Sequence, residues 1–147
     1  MTHWICKKFQ ELSADELYAI LRLRSEVFVV EQSCVFQDMD NKDQKCHHLM
    51  GWRSGLLVGY SRVIRAGISY AESSIGRIVT SPAARGLAVG RELLTKSIDT
   101  LYALHGKQSI RISAQFYLKS FYESFGFVQK GEIYLEDGIE HIEMLLL

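Results

Sequence analysis

The segment from Ile78 to Gly90 carries the residue types of a phosphate-binding turn. A predicted strand runs into it, and a helix is predicted to begin among the small residues Gly86, Ala88 and Gly90. Free amides at a helix amino terminus attract anions, and small side chains leave that backbone open to a ligand. Arg85 could add a charge-assisted hydrogen bond to a phosphate. An ordinary helix start packed against a sheet has the same pattern, so the turn alone does not separate the two interpretations.

The first predicted helix carries charged residues on its apolar face. Arg24, Phe28 and Glu31 lie at helical spacing on this face. Charges on an apolar face are costly unless they are paired or face a cavity. One interpretation places the end of this helix along an acceptor pocket, with Arg24 and Phe28 as substrate contacts and Glu31 as a base or amine-binding group. The other interpretation is a structural Arg24–Glu31 ion pair.

Residues with metal-binding side chains cluster in the middle of the chain. Cys46, His47 and His48 are adjacent, but neighbours on a strand point to opposite faces and no second ligand pair stands at zinc spacing. The aspartates of residues 38–43 match a calcium loop only in part, because Lys42 takes a ligand position and the required glycine is missing. We therefore predict no metal. His48 is a candidate base, although a lone strand histidine is more often packed and hydrogen-bonded.

The spacing of apolar residues and turn signals gives the element order β-α-β-β-β-α-β-α-β-β. This order predicts an α/β (α+β) domain, a mixed sheet with helices on its faces, spanning residues 1–147. Ser13 and Glu16 form a capping box before the first helix, and Asp137-Gly138 predicts a tight hairpin. The predicted strands are 4–9, 47–52, 56–64, 74–80, 109–114, 127–135 and 139–146, and the predicted helices are 14 to about 28 or slightly beyond, 86–104 and 118–125.

Composition narrows the possible classes of protein. The 147 residues are 48% hydrophobic, and 17 basic residues balance 17 acidic ones. Such a chain can bury a core, which excludes intrinsic disorder, and nothing in its charge suggests a nucleic-acid binder. No apolar run is long enough for a membrane span, and the amino-terminal residues lack a signal peptide's apolar stretch. We expect a cytoplasmic protein with three reduced cysteines.

Two segments together resemble the GNAT N-acetyltransferases. The turn from Arg85 to Gly90 resembles the family's motif Q/R-x-x-G-x-G/A, with Ala88 in place of the central glycine. An alanine still permits close approach if its φ is negative. Downstream, residues 115–127 resemble a second signature that contains Phe-Tyr and Gly-Phe pairs, with Gln115 where asparagine is usual. Further stretches resemble the ElaA-type branch of small GNAT proteins, namely residues 23–32, Asp38, Asp40, 48–49, 75–77 and 131–139.

The resemblance implies a fold in which the fourth and fifth strands splay apart and hold the pantetheine arm of acetyl-CoA between them. It places the backbone of Ile78, Val79 and Thr80 along the arm, where one amide could hold the developing oxyanion. The pyrophosphate would lie on the turn formed by Arg85, Gly86, Leu87, Ala88, Val89 and Gly90.

The resemblance also implies roles for three further side chains. Gln115 would contact coenzyme A, and Tyr122 would protonate the departing thiolate. Arg77 could recognise an acidic group of the acceptor or form an ion pair. The implied reaction is direct acetyl transfer from acetyl-CoA to a primary amine of a small molecule or peptide, without a metal.

Two other functions fit the same fold. An acyl-homoserine-lactone synthase would need a long acyl pocket and S-adenosylmethionine binding. A non-catalytic module that senses acyl-CoA would keep the coenzyme site without turnover. The identity of the amine, the acyl-chain preference and the assembly state, for which a homodimer is an option, stay open.

Overall fold

Seven strands and three α-helices follow one another in the predicted order. The computed structural model describes residues 1–147. The strands are β1 (His3–Lys8), β2 (His47–Arg53), β3 (Leu56–Ile64), β4 (Ser74–Thr80), β5 (Ile110–Gln115), β6 (Val128–Glu136) and β7 (Ile139–Leu146). The helices are α1 (Ala14–Arg24), α2 (Val89–His105) and α3 (Lys119–Glu123). None of the helices combines the length and the apolar character that crossing a membrane requires.

The strands form two open sheets that touch at one point. The first sheet has the order β1-β2-β3-β4 and the second has the order β5-β7-β6, with antiparallel pairing throughout. The two sheets join where Ser73 and Ile110 form a single parallel bridge. The Arg111 N–H donates to the Ser73 carbonyl there at 2.9 Å. Beyond this bridge β4 and β5 separate, which confirms the predicted fold class and its splayed strands.

Helices α1 and α2 cover opposite faces of the first sheet. Successive strand residues point to opposite faces, so Leu49 packs with Leu93 of α2 whereas Met50 packs with Ile20 of α1. All four of these side chains are buried. The first sheet is therefore covered on both faces, as predicted, and its edge strand β4 is held between the two helices.

Local signals set the start and the length of α1. The Ser13 hydroxyl accepts from the Glu16 N–H at 3.0 Å, and the Ser13 N–H donates to the Glu16 carboxylate at 2.8 Å, which is the predicted capping box. Beyond Arg24 the chain continues as a π-helical segment, Ser25–Glu31. π-Helical turns are frequent at functional sites, and this segment ends beside the gap between β4 and β5.

Arg24 is fully buried and holds the loop that follows the π-helical segment. Its Nε and Nη1 lie 2.8 Å from carboxylate oxygens of Asp38 and Asp43, respectively. Arg62 contacts Asp43 at 2.9 Å and Asp40 at 2.8 Å. Burial alone would raise the pKa of Asp43, but hydrogen bonds from Arg24 and Arg62 outweigh burial and lower it. The predicted Arg24–Glu31 ion pair is wrong, because the aspartates of this loop occupy the guanidinium.

We expect Arg24→Met to lower the free energy of unfolding by about 3–5 kcal/mol, since it takes from the buried Asp38 and Asp43 one of the two guanidinium groups that each contacts. Arg22→Met is the matched control on the same helix, because the Arg22 side chain is 66% exposed and its ion pair with Glu26 spans 3.6 Å at the surface. Urea unfolding of both variants measures the difference. An equal, small effect of the two substitutions would contradict a structural role for Arg24.

Candidate active site

A cavity of about 870 Å³ opens where β4 and β5 separate. We call it the split cavity. Ile78 and Thr80 line it from β4. The Ser81 N–H donates to the Val58 carbonyl of β3 at 2.8 Å. Because hydrogen bonds alternate along an antiparallel pair, the main-chain groups of Thr80 and Ile78 point away from β3 and towards the cavity.

A β-bulge interrupts β4 just before this exposed stretch. Between Tyr60 and Arg62 β3 advances by two residues, whereas β4 advances by three, from Val79 to Gly76. Arg77 lies in the bulge with a φ of 48°. Bulges bend a strand and redirect its side chains. Val79 lies in register with Tyr60, so its main-chain groups face β3, which leaves Ile78 and Thr80 as the predicted residues that present backbone to the cavity.

A second cavity of about 340 Å³, the loop pocket, lies over the start of α2. Thr80, Arg85 and Gly90 line both cavities, so the two adjoin each other. A Cβ built on Gly90 would meet no atom within 4 Å, which shows that the space above the helix start is open. Five residues that line this pocket have main-chain amides that donate to no atom of the chain; they are Gly86, Ala88, Val89, Gly90 and Arg91. Such a cluster of free donors at a helix amino terminus fits an anion.

The turn before α2 has left-handed backbone at two positions. Gly86 has a φ of 86° and Ala88 a φ of 59°. Ala88 therefore does not meet the condition of a negative φ, and α2 begins at Val89 rather than at the predicted Gly86 because helical geometry cannot extend through these residues. Leu87 lies between them with its side chain 51% exposed, and it lines neither cavity.

Tyr122 lines the split cavity from α3 and is 5% exposed. Its ring is fixed by edge-to-face contacts with Phe121 and Phe127, at centroid distances of 5.3 and 5.9 Å. Its hydroxyl forms no hydrogen bond within the chain, and burial raises its pKa well above the ordinary value. The phenol therefore keeps its proton at neutral pH and is free to donate it to a group in the cavity.

Two side-chain pairs join the end of the π-helical segment to the rest of the site. Arg85 donates to both oxygens of Glu31, at 2.5 and 2.6 Å. These hydrogen bonds hold the pKa of Glu31 below its usual range. Gln32 and Gln115 exchange amide hydrogen bonds of 3.2 and 3.3 Å. Glu31, Gln32, Arg85 and Gln115 all line the split cavity, but Glu31 is bound by Arg85 rather than free to act as a base.

His48 lies outside both cavities, so its predicted place at the active centre is corrected. Its Nε2 is 2.8 Å from the main-chain oxygen of Asp43, and its Nδ1 is 2.7 Å from the Tyr60 hydroxyl. A carbonyl only accepts, so Nε2 carries the proton and Nδ1 accepts from Tyr60. Burial lowers the pKa of His48. Both ring nitrogens are occupied, and the residue has the structural role that the sequence left as an alternative.

Of the predicted acceptor contacts, Phe28 and Arg77 line the split cavity and Arg24 does not. The Arg77 side chain binds Asp38, in the loop that follows the π-helical segment. Its Nη2 donates to the Asp38 carbonyl at 2.8 Å, and its Nε lies 2.8 Å from Asp38 Oδ1. The ion pair is thus the alternative that the geometry supports for Arg77. The guanidinium of Arg24 is instead bound by Asp38 and Asp43.

His141 and Glu136 both line the split cavity, although neither was among the predicted site residues. His141 is only 6% exposed. The signal available in the sequence was the alternation of side chains along a strand. Ile142 and Met144 belong to the core, so His141 must point to the opposite face. This face of β7 borders the split cavity because the two sheets separate there.

Comparisons with known proteins agree with this geometry. Residues 10–147 match the family described as the acetyltransferase (GNAT) domain. The chain belongs to the GNAT acetyltransferase family. It is similar to the ElaA protein of Escherichia coli, with 40% identity over 98% of this chain and 95% of ElaA. The crystal structure of Escherichia coli ElaA superposes with a TM-score of 0.93 at 39% identity, covering 100% of both chains.

Two other solved structures extend the comparison. An acyl-CoA N-acyltransferase from Pseudomonas aeruginosa has a TM-score of 0.95 and 41% identity, with 100% of both chains covered. An aminoglycoside 6'-N-acetyltransferase crystallised with coenzyme A has a TM-score of 0.69 at 14% identity, covering 96% and 95% of the chains, and shares the fold alone. The protein is therefore a GNAT-family acyltransferase of the ElaA-like group, as the two sequence motifs indicated for the family and the further stretches for the group.

The GNAT turn of this chain carries an avoidable strain at Ala88. Left-handed backbone costs a residue with a Cβ about 1–2 kcal/mol, which exceeds the entropy cost of glycine. We expect Ala88→Gly to raise the free energy of unfolding by about 0.5–1 kcal/mol, because the exposed Ala88 methyl loses no packing. Ala83→Gly is the control: Ala83 is also exposed in this turn but has no positive φ, so this change should destabilise. Thermal and urea unfolding test the opposite signs; the same sign for both would argue against strain at Ala88.

Proposed function

We propose that this chain transfers an acetyl group from acetyl-CoA to a primary amine by direct attack of the amine on the thioester. The observation that carries this proposal is that the two cavities adjoin each other at Thr80, Arg85 and Gly90. Free amides at the start of α2 line the loop pocket, whereas the exposed backbone of β4 and Tyr122 line the split cavity beside it. An anion site, a strand edge and a proton donor are thus neighbours, as a pyrophosphate, a pantetheine arm and a thioester require.

The residues present fit coenzyme A. The loop pocket offers main-chain donors and the open space at Gly90 for a pyrophosphate. The unpaired groups of Ile78 and Thr80 can bond to the amides of the arm as an added strand would. Gln115 faces them across the split cavity. The coenzyme A held by the aminoglycoside acetyltransferase of the same fold supports this assignment.

The chemistry requires few groups because the thioester is already activated. An amide of the exposed β4 backbone can donate to the carbonyl oxygen as negative charge develops there. Tyr122 gives its phenolic proton to the sulfur as the carbon–sulfur bond breaks. Its hydroxyl, which forms no hydrogen bond within the chain, and its place in the split cavity support this role. No step in this scheme needs a metal ion.

The first test is acetyl-CoA binding measured by isothermal titration calorimetry. We expect Gly90→Leu to weaken binding at least about tenfold, because its side chain enters the space assigned to the pyrophosphate. The variant should fold, since no atom lies within 4 Å of a Cβ at this position. Thr95→Leu, an exposed position on the same helix, is the matched control and should bind as the wild type does.

The same titration separates the alternatives. Octanoyl-CoA and S-adenosylmethionine are titrated beside acetyl-CoA and free coenzyme A. Folded wild-type protein that does not bind acetyl-CoA would overturn the proposal. Preference for octanoyl-CoA together with S-adenosylmethionine binding would favour a lactone synthase instead.

The Tyr122→Phe variant distinguishes a catalytic acetyltransferase from a non-catalytic module that senses acyl-CoA. The ring contacts with Phe121 and Phe127 remain, so we expect an unchanged fold and an acetyl-CoA Kd within about twofold of the wild type. Loss of the general acid should lower kcat for thiol release about 100-fold or more. Tyr18→Phe on the surface of α1 is the control, since Tyr18 is 73% exposed and lines neither cavity. Undiminished turnover in Tyr122→Phe would remove Tyr122 from the mechanism.

A further inference from the structure

A row of polar side chains crosses the second sheet on the face that borders the split cavity. Tyr134 of β6 pairs with His141 of β7, and His141 pairs with Gln115 of β5. Directly paired residues share a face of a sheet. Ile142, next to His141, points the other way into the core. The row therefore faces the cavity, and His141 and Gln115 both line it.

The imidazole of His141 is held in one orientation. Its Nδ1 lies 2.7 Å from the main-chain oxygen of Ile139. Because a carbonyl only accepts, Nδ1 carries a proton and donates it. The Tyr134 ring stacks on the imidazole at 6.0 Å between centroids with 26° between the planes, and the Tyr134 hydroxyl is fixed by a hydrogen bond with Ser113. Backbone and stacking contacts together fix both the tautomer and the direction of Nε2.

In the neutral ring, Nε2 holds a lone pair and forms no hydrogen bond with the chain. The nearest charged group is the Glu136 carboxylate, whose Oε2 lies 3.5 Å from Nε2. Two hydrogen-bond acceptors thus lie side by side, one on a residue that is 6% exposed. A group with several N–H donors and a positive charge satisfies both at once, and an alkylammonium ion has three such donors.

We propose that Glu136 and His141 bind the acceptor as a primary alkylammonium and that His141 Nε2 accepts its proton. This inference rests on the proposed function and names the substrate class of that same site. Removal of one proton by His141 converts R–NH3⁺ into R–NH2, whose lone pair forms the new carbon–nitrogen bond. The protonated Nε2 then donates to Glu136, so the carboxylate that attracted the cation also stabilises the imidazolium.

Tyr122 accounts for the remaining proton transfers, because it gives one proton and takes one back. Tyr122 gives its proton to the sulfur as the carbon–sulfur bond breaks, and it recovers one from the nitrogen, which still carries an extra proton after attack. His141 finally releases the first proton to solvent. The products are the N-acetyl amine, the coenzyme thiol and one proton. Glu136 would repel an acceptor that has a carboxylate beside its amine. The proposed substrate class is therefore an alkylamine that carries no carboxylate on the carbon next to the nitrogen.

Binding is tested first, with n-butylamine hydrochloride as the probe and butan-1-ol as its neutral isostere. Imidazole ¹H–¹⁵N spectra of the full chain resolve its five histidines, and His141→Asn identifies the His141 signals. We expect butylamine, but not butanol, to shift the Nε2 signal of His141. Glu136→Gln should weaken this binding about tenfold. Glu140→Gln removes the same charge from an exposed position on the same hairpin that does not line the cavity, and should leave binding unchanged.

Catalysis is tested second, as thiol release with acetyl-CoA and butylamine. We expect His141→Asn and His141→Gln to lower kcat about 100-fold or more, since proton acceptance is lost. Glu136→Gln should act mainly by raising KM for the amine. Acetyl-CoA Kd should stay within about twofold of the wild type in all three variants. This split between kcat and KM would not arise from a residue that only supports the fold.

Several outcomes would overturn the inference. One is a His141 signal that does not move at 50 mM butylamine, about the scale of a weak small-amine site. Another is wild-type amine kinetics in both Glu136→Gln and His141→Asn. If His141→Asn does not fold, Glu136→Gln decides alone, because the Glu136 side chain is half exposed. Failure of wild-type protein to bind acetyl-CoA would instead refute the proposed function, a result that the amine titration does not depend on.

Discussion

The site depends on the unpaired edge between the two sheets. Ser73 and Ile110 pair once, and past that bridge β4 and β5 separate, so each presents main-chain donors and acceptors without a partner strand. Unpaired groups at a sheet edge attract extended ligands or other strands, and they are costly if buried without a partner. A ligand that lies in the gap and carries amides of its own satisfies them. The proposed position of the pantetheine arm follows from this requirement.

Two features shape the walls of the gap. The bulge at Arg77 interrupts β4 beyond its bridge to β5, and bulges bend the strand that carries them. On the other side, the loop after the π-helical segment is fixed by the buried guanidinium of Arg24, which contacts Asp38 and Asp43. Removal of one partner from such a buried network leaves an uncompensated charge. The network therefore stabilises the wall of the cavity without contributing a reacting group.

The sequence predicted the features that depend on local pattern. The capping box at Ser13, the hairpin at Asp137-Gly138 and the bounds of β4 and β7 all agree with the structure. These signals depend on residues within a few positions of one another. The GNAT motifs identified the family for the same reason, since the turn at Arg85 is a local backbone structure with a recognisable sequence.

The partners of charged side chains could not be predicted in this way. Arg24 pairs with aspartates 14 and 19 residues away, and Glu31 pairs with Arg85, 54 residues away. Helical spacing suggested a nearer pair, but tertiary contacts determined both. His141 was missed because β7 has one face in the core, and only the separation of the sheets shows that its other face borders a cavity rather than solvent.

The pair between Glu31 and Arg85 links the two halves of the site. In the structure Arg85 is neutralised by a carboxylate at the end of the π-helical segment, and both residues line the split cavity. Both side chains are about half exposed, and ion pairs in water contribute little to stability. A pyrophosphate on the free amides of α2 would offer Arg85 more acceptor oxygens and a larger charge than Glu31 does. On the proposed function, donor binding would therefore draw Arg85 away from Glu31 and leave this carboxylate unpaired in the lining of the split cavity.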